Sequence, residues 1–414
     1  MKNKLTKLEK AWVLYDVGNS AFTMIISTTI PIFFKNLANA NGISAANSTA
    51  IWSYTLSAAT LIVALIGPVL GRMADEKGKK KLFFSFFLYM GAIGCFLLGW
   101  INHWILFMIV FVIARVGYSS SLIFYDSMLT DVTADDRMDM VSSSGFAWGY
   151  LGSCPPFILC LLFVLLGGKM GLSSSVSTIL SFTVIAVWWF ACSIPLLKQY
   201  KQINYNENIE KKTLSSIIHN LKLTLQKVNQ NKNIRLFLLA YFFYIDGVFT
   251  IISMATSYGK DVGVSDTNLV LALLLTQIVA FPFAILFGRL SKKVNTRKLI
   301  EICIFGYSLI VLFALQLDKA WEFWFLAVCV AMFQGAIQAL SRSYFARLVP
   351  KDNSNEFFGF FDIFGKGAAF TGTLLMGIVT QLTGSSTYGV GALLILFVIG
   401  FIFLKQIPRE AGGK

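Results

Sequence analysis

Runs of about 20 apolar residues recur along this chain, separated by short polar turns. That is the length a helix needs to cross ~30 Å of hydrocarbon. Twelve such runs lie near 11–36, 48–71, 82–101, 104–130, 142–167, 174–197, 235–259, 267–290, 298–317, 321–349, 356–382 and 386–407. The pattern predicts an all-α integral membrane protein with twelve transmembrane helices. Polar residues inside the runs are scarce, so each one is informative. The first run opens with "WVLYDVGNSAF" (12–22), which puts Asp16 and Asn19 in its early turns. An ionised Asp at a helix centre costs roughly 2.5–3.5 kcal/mol on insertion scales, so its presence asks for a reason.

The longest polar interval, 198–235, divides the runs six and six. The expected organisation is a six-helix half at 1–197, a linker at 198–234 and a second six-helix half at 235–414. Within the linker, Leu214, Ile217, Ile218, Leu221, Leu225 and Val228 keep helical spacing between lysines, as an amphipathic helix on a membrane surface would. The halves also repeat. "GRMADEKGKKKL" (71–82) and "GRLSKKVNTRKL" (288–299) follow spans 2 and 8 at an offset of 217 residues. Parallel repeats of this kind build secondary transporters, with the site near the membrane midplane between the halves.

Composition supports the membrane class. Of 414 residues, 56% are hydrophobic and 14% charged, with mean hydropathy +0.68; a soluble protein has about 25% charged residues. The net charge of +14 would suggest nucleic acid in a soluble domain. Here it follows topology: 29 of the 35 Lys and Arg fall on the side shared by both termini, and four (Lys35, Lys169, Lys260, Lys319) on the other. That bias predicts cytoplasmic termini in a multi-pass protein of the cell's inner or plasma membrane, with no nucleic-acid partner. "MKNKLTKLEK" precedes a run too long for a signal peptide, so no cleavable leader is expected. The six cysteines all lie in apolar runs without metal or redox spacing. No metal or cofactor is expected. No G-x-x-x-x-G-K-[ST] phosphate loop is present to use ATP.

Gly71, Ala74, Asp75, Gly78, Lys79 and Lys80 form G-x-x-A-D-x-x-G-K-K, which resembles the signature between spans 2 and 3 of the major facilitator superfamily. "LYDVGNSAF" (14–22), "SSSGFAWGYLG" (142–152), "YFFYIDGVFTII" (241–252) and "QGAIQALSRSYFARLVPKDNSNEFFGFFDIFGKGAAFTG" (334–372) are similar to the branch that includes the fungal vacuolar amino-acid effluxer linked to autophagy. The resemblance implies the twelve-helix fold, with spans 1, 4, 7 and 10 lining a central cavity, and transport of a small polar solute such as an amino acid. It also implies that Gly71, Asp75, Gly78 and Lys79 form a conformational gate.

Six ionisable residues lie within spans: Asp16, Arg115, Asp126, Asp246, Asp362 and Lys366. Such residues face the bundle interior and mark a pathway or a pair. By helical rise, Asp16, Asp126 and Asp362 fall in the cytoplasmic third, and Arg115, Asp246 and Lys366 near the midplane. Four carboxylates against two bases leave one or more of them free to carry a proton. Asp246 is expected within reach of Arg115 or Lys366, and Asp16 in a cavity wetted from the cytoplasm. Gln334, Gln338 and Arg342 make a polar stripe on span 10. The expected substrate and proton set is Asp16, Asn19, Arg115, Asp246, Gln334, Gln338, Arg342, Asp362 and Lys366. Asp75, Asp126 and Asp131 also read as structural partners of the basic loops, and Asp16 as a helix cap. The leading expectation is a non-enzymatic, proton-coupled secondary transporter acting as a monomer among membrane lipids. The alternative is a receptor or lipid-handling protein that moves no solute.

Overall fold

A computed structural model describes residues 4–408 except 28, 208–224, 262 and 318. Its named elements are all helical among those residues. The first half contains α1 (Lys7–Ser27), α2 (Thr29–Ala40), α3 (Ala45–Ala74), α4 (Lys79–Leu98), α5 (Trp104–Ser127), the single turn α6 (Leu129–Val132), α7 (Met138–Leu166) and α8 (Ser174–Gln199). The second contains α9 (Lys232–Asp261), α10 (Asp266–Leu290), α11 (Thr296–Ala314), α12 (Ala320–Leu348), α13 (Ser354–Thr383), α14 (Ser386–Ala392) and α15 (Leu394–Lys405).

Local chemistry sets where these helices start. Ahead of α1, Thr6 Oγ1 accepts from the Glu9 amide at 3.2 Å, and Glu9 Oε2 accepts from the Thr6 amide at 2.7 Å. This reciprocal pair satisfies two backbone donors that the first turn would leave open. Ser44, Ser173, Ser265 and Asn295 cap α3, α8, α10 and α11 in the same way, each accepting from an amide two or three residues on. Gly78 ends the turn before α4 at φ 74°, a left-handed conformation that glycine adopts without a Cβ penalty.

Ten helical stretches are long and apolar enough to cross a membrane among the described residues. They correspond to ten of the twelve expected spans. Of the other two, α11 carries Arg297, Lys298 and Glu301 in its first turns, and α13 holds the segment 366–370, whose side chains are not described. The apolar surface is turned outward along most helices. Leu61, Phe86, Ile93, Phe305 and Ile402 are more than half exposed, as residues facing acyl chains would be. All six cysteines are free. The expected linker helix lies mainly outside the described residues. Of its stripe, Leu225 is exposed and Val228 buried.

Helices α1–α8 pack chiefly on one another, and so do α9–α15. The two sets meet along two main seams, α3 against α13 and α7 against α10, with α12 also touching α7. At the first seam Gly359 faces Gly67 and Pro68 so closely that a Cβ on it would stand 2.7 Å from Pro68 Cα. At the second, a Cβ on Gly288 would stand 2.6 Å from Ser143 Cβ. Small residues let these backbones approach.

Candidate functional site

The end of the bundle that carries the basic loops is clasped shut by side chains from both sets of helices. Asp75, the residue after α3, is buried. Its Oδ1 accepts from the amide and side-chain nitrogen of Asn355 at 3.0 and 2.6 Å, and its Oδ2 from the Glu356 amide at 3.0 Å. A carboxylate thus sits on the open N–H groups at the start of α13, where the helix dipole favours negative charge. Burial pushes the Asp75 carboxyl up to about 7, against the pull of Lys80 and of the Asn355 and Glu356 donors. Gly71 lies one turn back along α3, where any Cβ would collide with the Asn355 carbonyl.

Within the 71–82 loop, Lys79 is only half-buried, and Lys80 is the lysine turned inside. Lys80 Nζ donates to Asp131 Oδ2 at 2.8 Å and to Ser354 Oγ at 3.3 Å. Of the two lysines, Lys80 is the one that reaches across to the start of α13. One residue is a 100° step round a helix, and that step separates the outer face from the core. Asp131 also accepts from the Tyr200 hydroxyl at 2.5 Å and from the Asn204 amide at 2.8 Å, so it serves as a partner of the basic loop.

The second seam holds a different clasp. Asp139, in the first turn of α7, accepts from Thr296 Oγ1 at 2.5 Å, from Arg347 Nη1 at 3.0 Å and from Ser343 Oγ. A surface pair, Lys351 with Asp135 at 2.7 Å, lies beyond it.

Between the clasps stands Arg342 of α12. Its Nη1 meets Asp126 Oδ1 at 2.9 Å and its Nη2 meets Asp16 Oδ2 at 3.3 Å. Its Nε donates to Ser142 Oγ at 2.9 Å, and Nη2 to the Ser142 carbonyl at 3.1 Å. The guanidinium lies 4.6 Å from the Trp12 ring centre and 4.4 Å from that of Phe146, a cation–π setting. The cage is stiff: Trp12 and Tyr125 stack at 4.4 Å, and each donates to the other's carbonyl. Gly145 leaves room beside it, since a Cβ there would crowd Asp16 Oδ2 and stand 3.1 Å from Arg342 Nη2.

Asp16 is thus tolerated because it shares a cation inside the protein, not because it faces a wet cavity; it is 6% exposed. Asn19 donates to it at 3.3 Å. Asp126, expected to serve the basic loops, pairs with Arg342 instead, because α5 turns it toward α12. Gln338 donates to the Tyr150 hydroxyl at 3.1 Å across the α7–α12 contact. Gln334 lines a cavity in the second half, about 870 Å³ including space open to solvent, with Thr250, Gln277 and apolar neighbours. The span-10 stripe therefore divides between two surroundings.

Of the two bases expected beside Asp246, Lys366 has its side chain outside the described ones. Asp246 Oδ1 accepts from the Gly372 amide at 2.8 Å and from Thr250 at 3.4 Å; its buried Oδ2 has no partner among the described residues. It is not paired with Arg115. Gly372 lacks a side chain that would otherwise hold the carboxylate off the α13 backbone, and Asp246 fills that space. Arg115 lies 5.4 Å from the Tyr118 ring centre and makes no hydrogen bond or ion pair among the described residues. Asp362 of α13 is near enough to act on it electrostatically.

Trp12, Ser142, Asp139 and Arg347 did not stand out along the chain as site residues. Asp139 had one available signal, an acid three residues ahead of an apolar run. No group of three or more potential metal ligands occurs among the described residues.

Comparison with known proteins places this architecture. Residues 6–414 match the family model described as "Vacuole effluxer Atg22 like". The MFS-type transporter YxiO of Bacillus subtilis is 43% identical over 99% of this chain and 97% of its own. Autophagy-related protein 22 of Eremothecium gossypii is 24% identical over 97% of this chain and 91% of its own. Among solved structures, the transporter FucP in its outward conformation superposes with TM-score 0.74 at 15% identity, covering 97% of this chain and 98% of FucP. The proton:xylose symporter XylE gives 0.69 at 12%, covering 99% and 96%; at such identities these two speak to the fold alone. The helices are thus those of the major facilitator fold, in a multi-pass membrane protein that is a secondary transporter and not an enzyme. The chain belongs to the Atg22-like branch of the major facilitator superfamily.

Proposed function

We propose that this protein carries a small solute with an anionic group, such as an amino acid, across the cell membrane by alternating access coupled to protons. The reading takes the two six-helix halves as 1–197 and 235–414, joined by the linker 198–234. Both termini and the basic loops are cytoplasmic, in keeping with the 29-to-4 division of Lys and Arg. On this reading the clasps close the cytoplasmic side, as in the outward-open step of the cycle.

The observation that carries the solute class is Arg115. A half-buried guanidinium on α5, with five donors and no described hydrogen-bond partner, is available to a ligand. A carboxylate fits its fork bidentately. Its position near the midplane, beside Asp362 of the other half, suits a solute held between halves that rock. Asp246 would face the cationic end of a zwitterion. Asp16, Asp126, Asp246 and Asp362 are the carboxylates able to carry the proton. The choice among them depends on which changes surroundings when the halves part.

The test is a flux screen of purified protein in proteoliposomes with amino acids, peptides and organic anions, with and without a pH gradient. Saturable uptake of a carboxylate-bearing solute, lost in Arg115→Gln and partly kept in Arg115→Lys, supports the reading. Uptake unaffected by Arg115→Gln, or no flux of any solute, overturns it.

A further inference from the structure

Arg342 is anchored in the second set of helices, yet every hydrogen-bond and ring partner described for it belongs to the first. Asp16 and Trp12 are on α1, Tyr125 and Asp126 on α5, Ser142 and Phe146 on α7. Two carboxylates of one half are therefore held by a single charge that the other half owns. Their bonds to it are 2.9 and 3.3 Å long, so the two acids stand on one small group. Rocking of the halves, on which the proposed transport cycle rests, withdraws that group.

What remains around the acids does not replace it. From α1 there is the amide of Asn19. From α5 there are the phenols of Tyr118 and Tyr125, from α7 Tyr150, from α9 Tyr241 and from α13 the carboxylate of Asp362. Lys366 lies one turn beyond Asp362, outside the described side chains. None of the described groups is a cation. Arg115 is eleven residues back along α5, about 16 Å at the rise of an α-helix. Two carboxylates sharing a confined site without a counterion do not both stay ionised.

Asp246 behaves differently. Its described partners, Gly372 and Thr250, are in its own half, so parting the halves leaves them in place.

We propose that Asp16 and Asp126 together form the proton-binding site of the cycle. When the cytoplasmic clasps open and Arg342 leaves, the pair takes one proton from cytoplasmic water and shares it between the two carboxylates. When Arg342 returns, the proton goes back to water and the ion pairs re-form. Opening on the cytoplasmic side is thereby linked to uptake of one proton, and acid favours the open state.

The experiment measures a distance across this end in proteoliposomes without solute. Spin labels are placed at Lys77→Cys and Lys293→Cys, in the loops after α3 and α10, and the open-to-closed ratio is followed from about pH 5 to pH 8. In the labelled parent the ratio should rise with acid more steeply than in Asp126→Asn, the difference approaching about tenfold per pH unit for one proton. Arg342→Gln should lose the same steepness, because no cation is withdrawn on opening. Titration of Asp75 is common to all three proteins and cancels. Should Asp126→Asn fold poorly, Asp16→Asn takes its place, and Arg342→Gln stands independently. Equal pH slopes in parent and variants overturn the proposal. Solute flux in the same vesicles judges the transport reading separately: flux with equal slopes removes this proton site alone, and unequal slopes without flux remove transport alone.

Discussion

The two seams between the halves solve one problem with opposite materials. At α3–α13 the acid sits on the loop after α3, and the donors are backbone amides at the start of α13. Beside α7–α10 the acid, Asp139, sits at the start of α7, and the donors are Thr296 of α11 and Arg347 of α12. Residues 217 apart show the exchange. Lys292 occupies the place of Asp75, and Glu356 occupies the place of Asp139. Glu356 keeps a charge partner, Arg72, at 3.5 Å. The second loop therefore did not need its own Asp: its acid comes from the facing helix. A degenerate repeat need not be a weakened one, because a clasp between pseudo-equivalent halves requires a donor and an acceptor, and either side can supply either.

The comparison can be broken most severely at Asp139. Asp139→Asn leaves Arg347 facing a neutral group in a largely buried site, where removing one partner of an ion pair costs about 3–5 kcal/mol. The second seam should open, read as a longer label distance between the α7 and α10 ends and a lower melting temperature. An unchanged distance would show that the small-residue contacts, not the charge, hold this seam.

At the first seam backbone proximity should matter most. Gly359→Leu forces a side chain against Pro68, and overpacking of this kind costs about 1–3 kcal/mol. The expected result is a seam that cannot close, read as a longer label distance between the ends of α3 and α13 on the basic-loop side. Gly288→Ala, which meets the movable Ser143 side chain, should do less.

Asp75→Asn comes next. The amide keeps one oxygen for the α13 amides but brings two donors to a site already full of donors, a loss of about 1–2 kcal/mol, and should shift the protein toward the state open at this end. It also removes a titration. The Asp75 carboxyl, held at about 7 by burial, binds its proton more tightly in the closed seam than when exposed on opening. Its contribution to closure is thus fully present at low pH and is lost as pH rises through about 7, the reverse of the dependence proposed for Asp16 and Asp126. Loss of this component in Asp75→Asn, seen as a flatter closure curve between about pH 4 and pH 7, checks the sign.

The smallest effect is expected at Gly78. With φ 74°, Gly78→Ala should cost about 1 kcal/mol of loop stability. A shift of the melting temperature by a few degrees at most, with the seam still closed, would confirm that the loop's shape is local and its function lies in Asp75 and Lys80.

The membrane class and the helix positions could be read directly from residue order. Both follow from chemistry that acts along the chain: an apolar run of fixed length, caps such as Ser44 and Asn295, and a glycine at the one left-handed turn position before α4. The family could be read too, from motifs that keep their spacing. The unusual residues were also visible, since a charge inside an apolar run stands out. Asp16, Arg115, Asp246 and Arg342 were all singled out before any contact was known.

Their pairing was not visible. Arg342 lies 326 residues from Asp16 and 216 from Asp126, and nothing along the chain chooses those acids over Asp362 or Asp246. Asp246 accepts from a backbone amide because Gly372 has no side chain. Lys79 and Lys80 are equivalent as letters, yet only one faces Asp131. Sequence by itself determined which segments are helical, that they belong in a membrane, and which side chains would be costly there. Tertiary structure alone decided how those costs are met, because ion pairing in a low-dielectric interior depends on a few ångströms between helices far apart in the chain, and that distance is set by how the two halves dock.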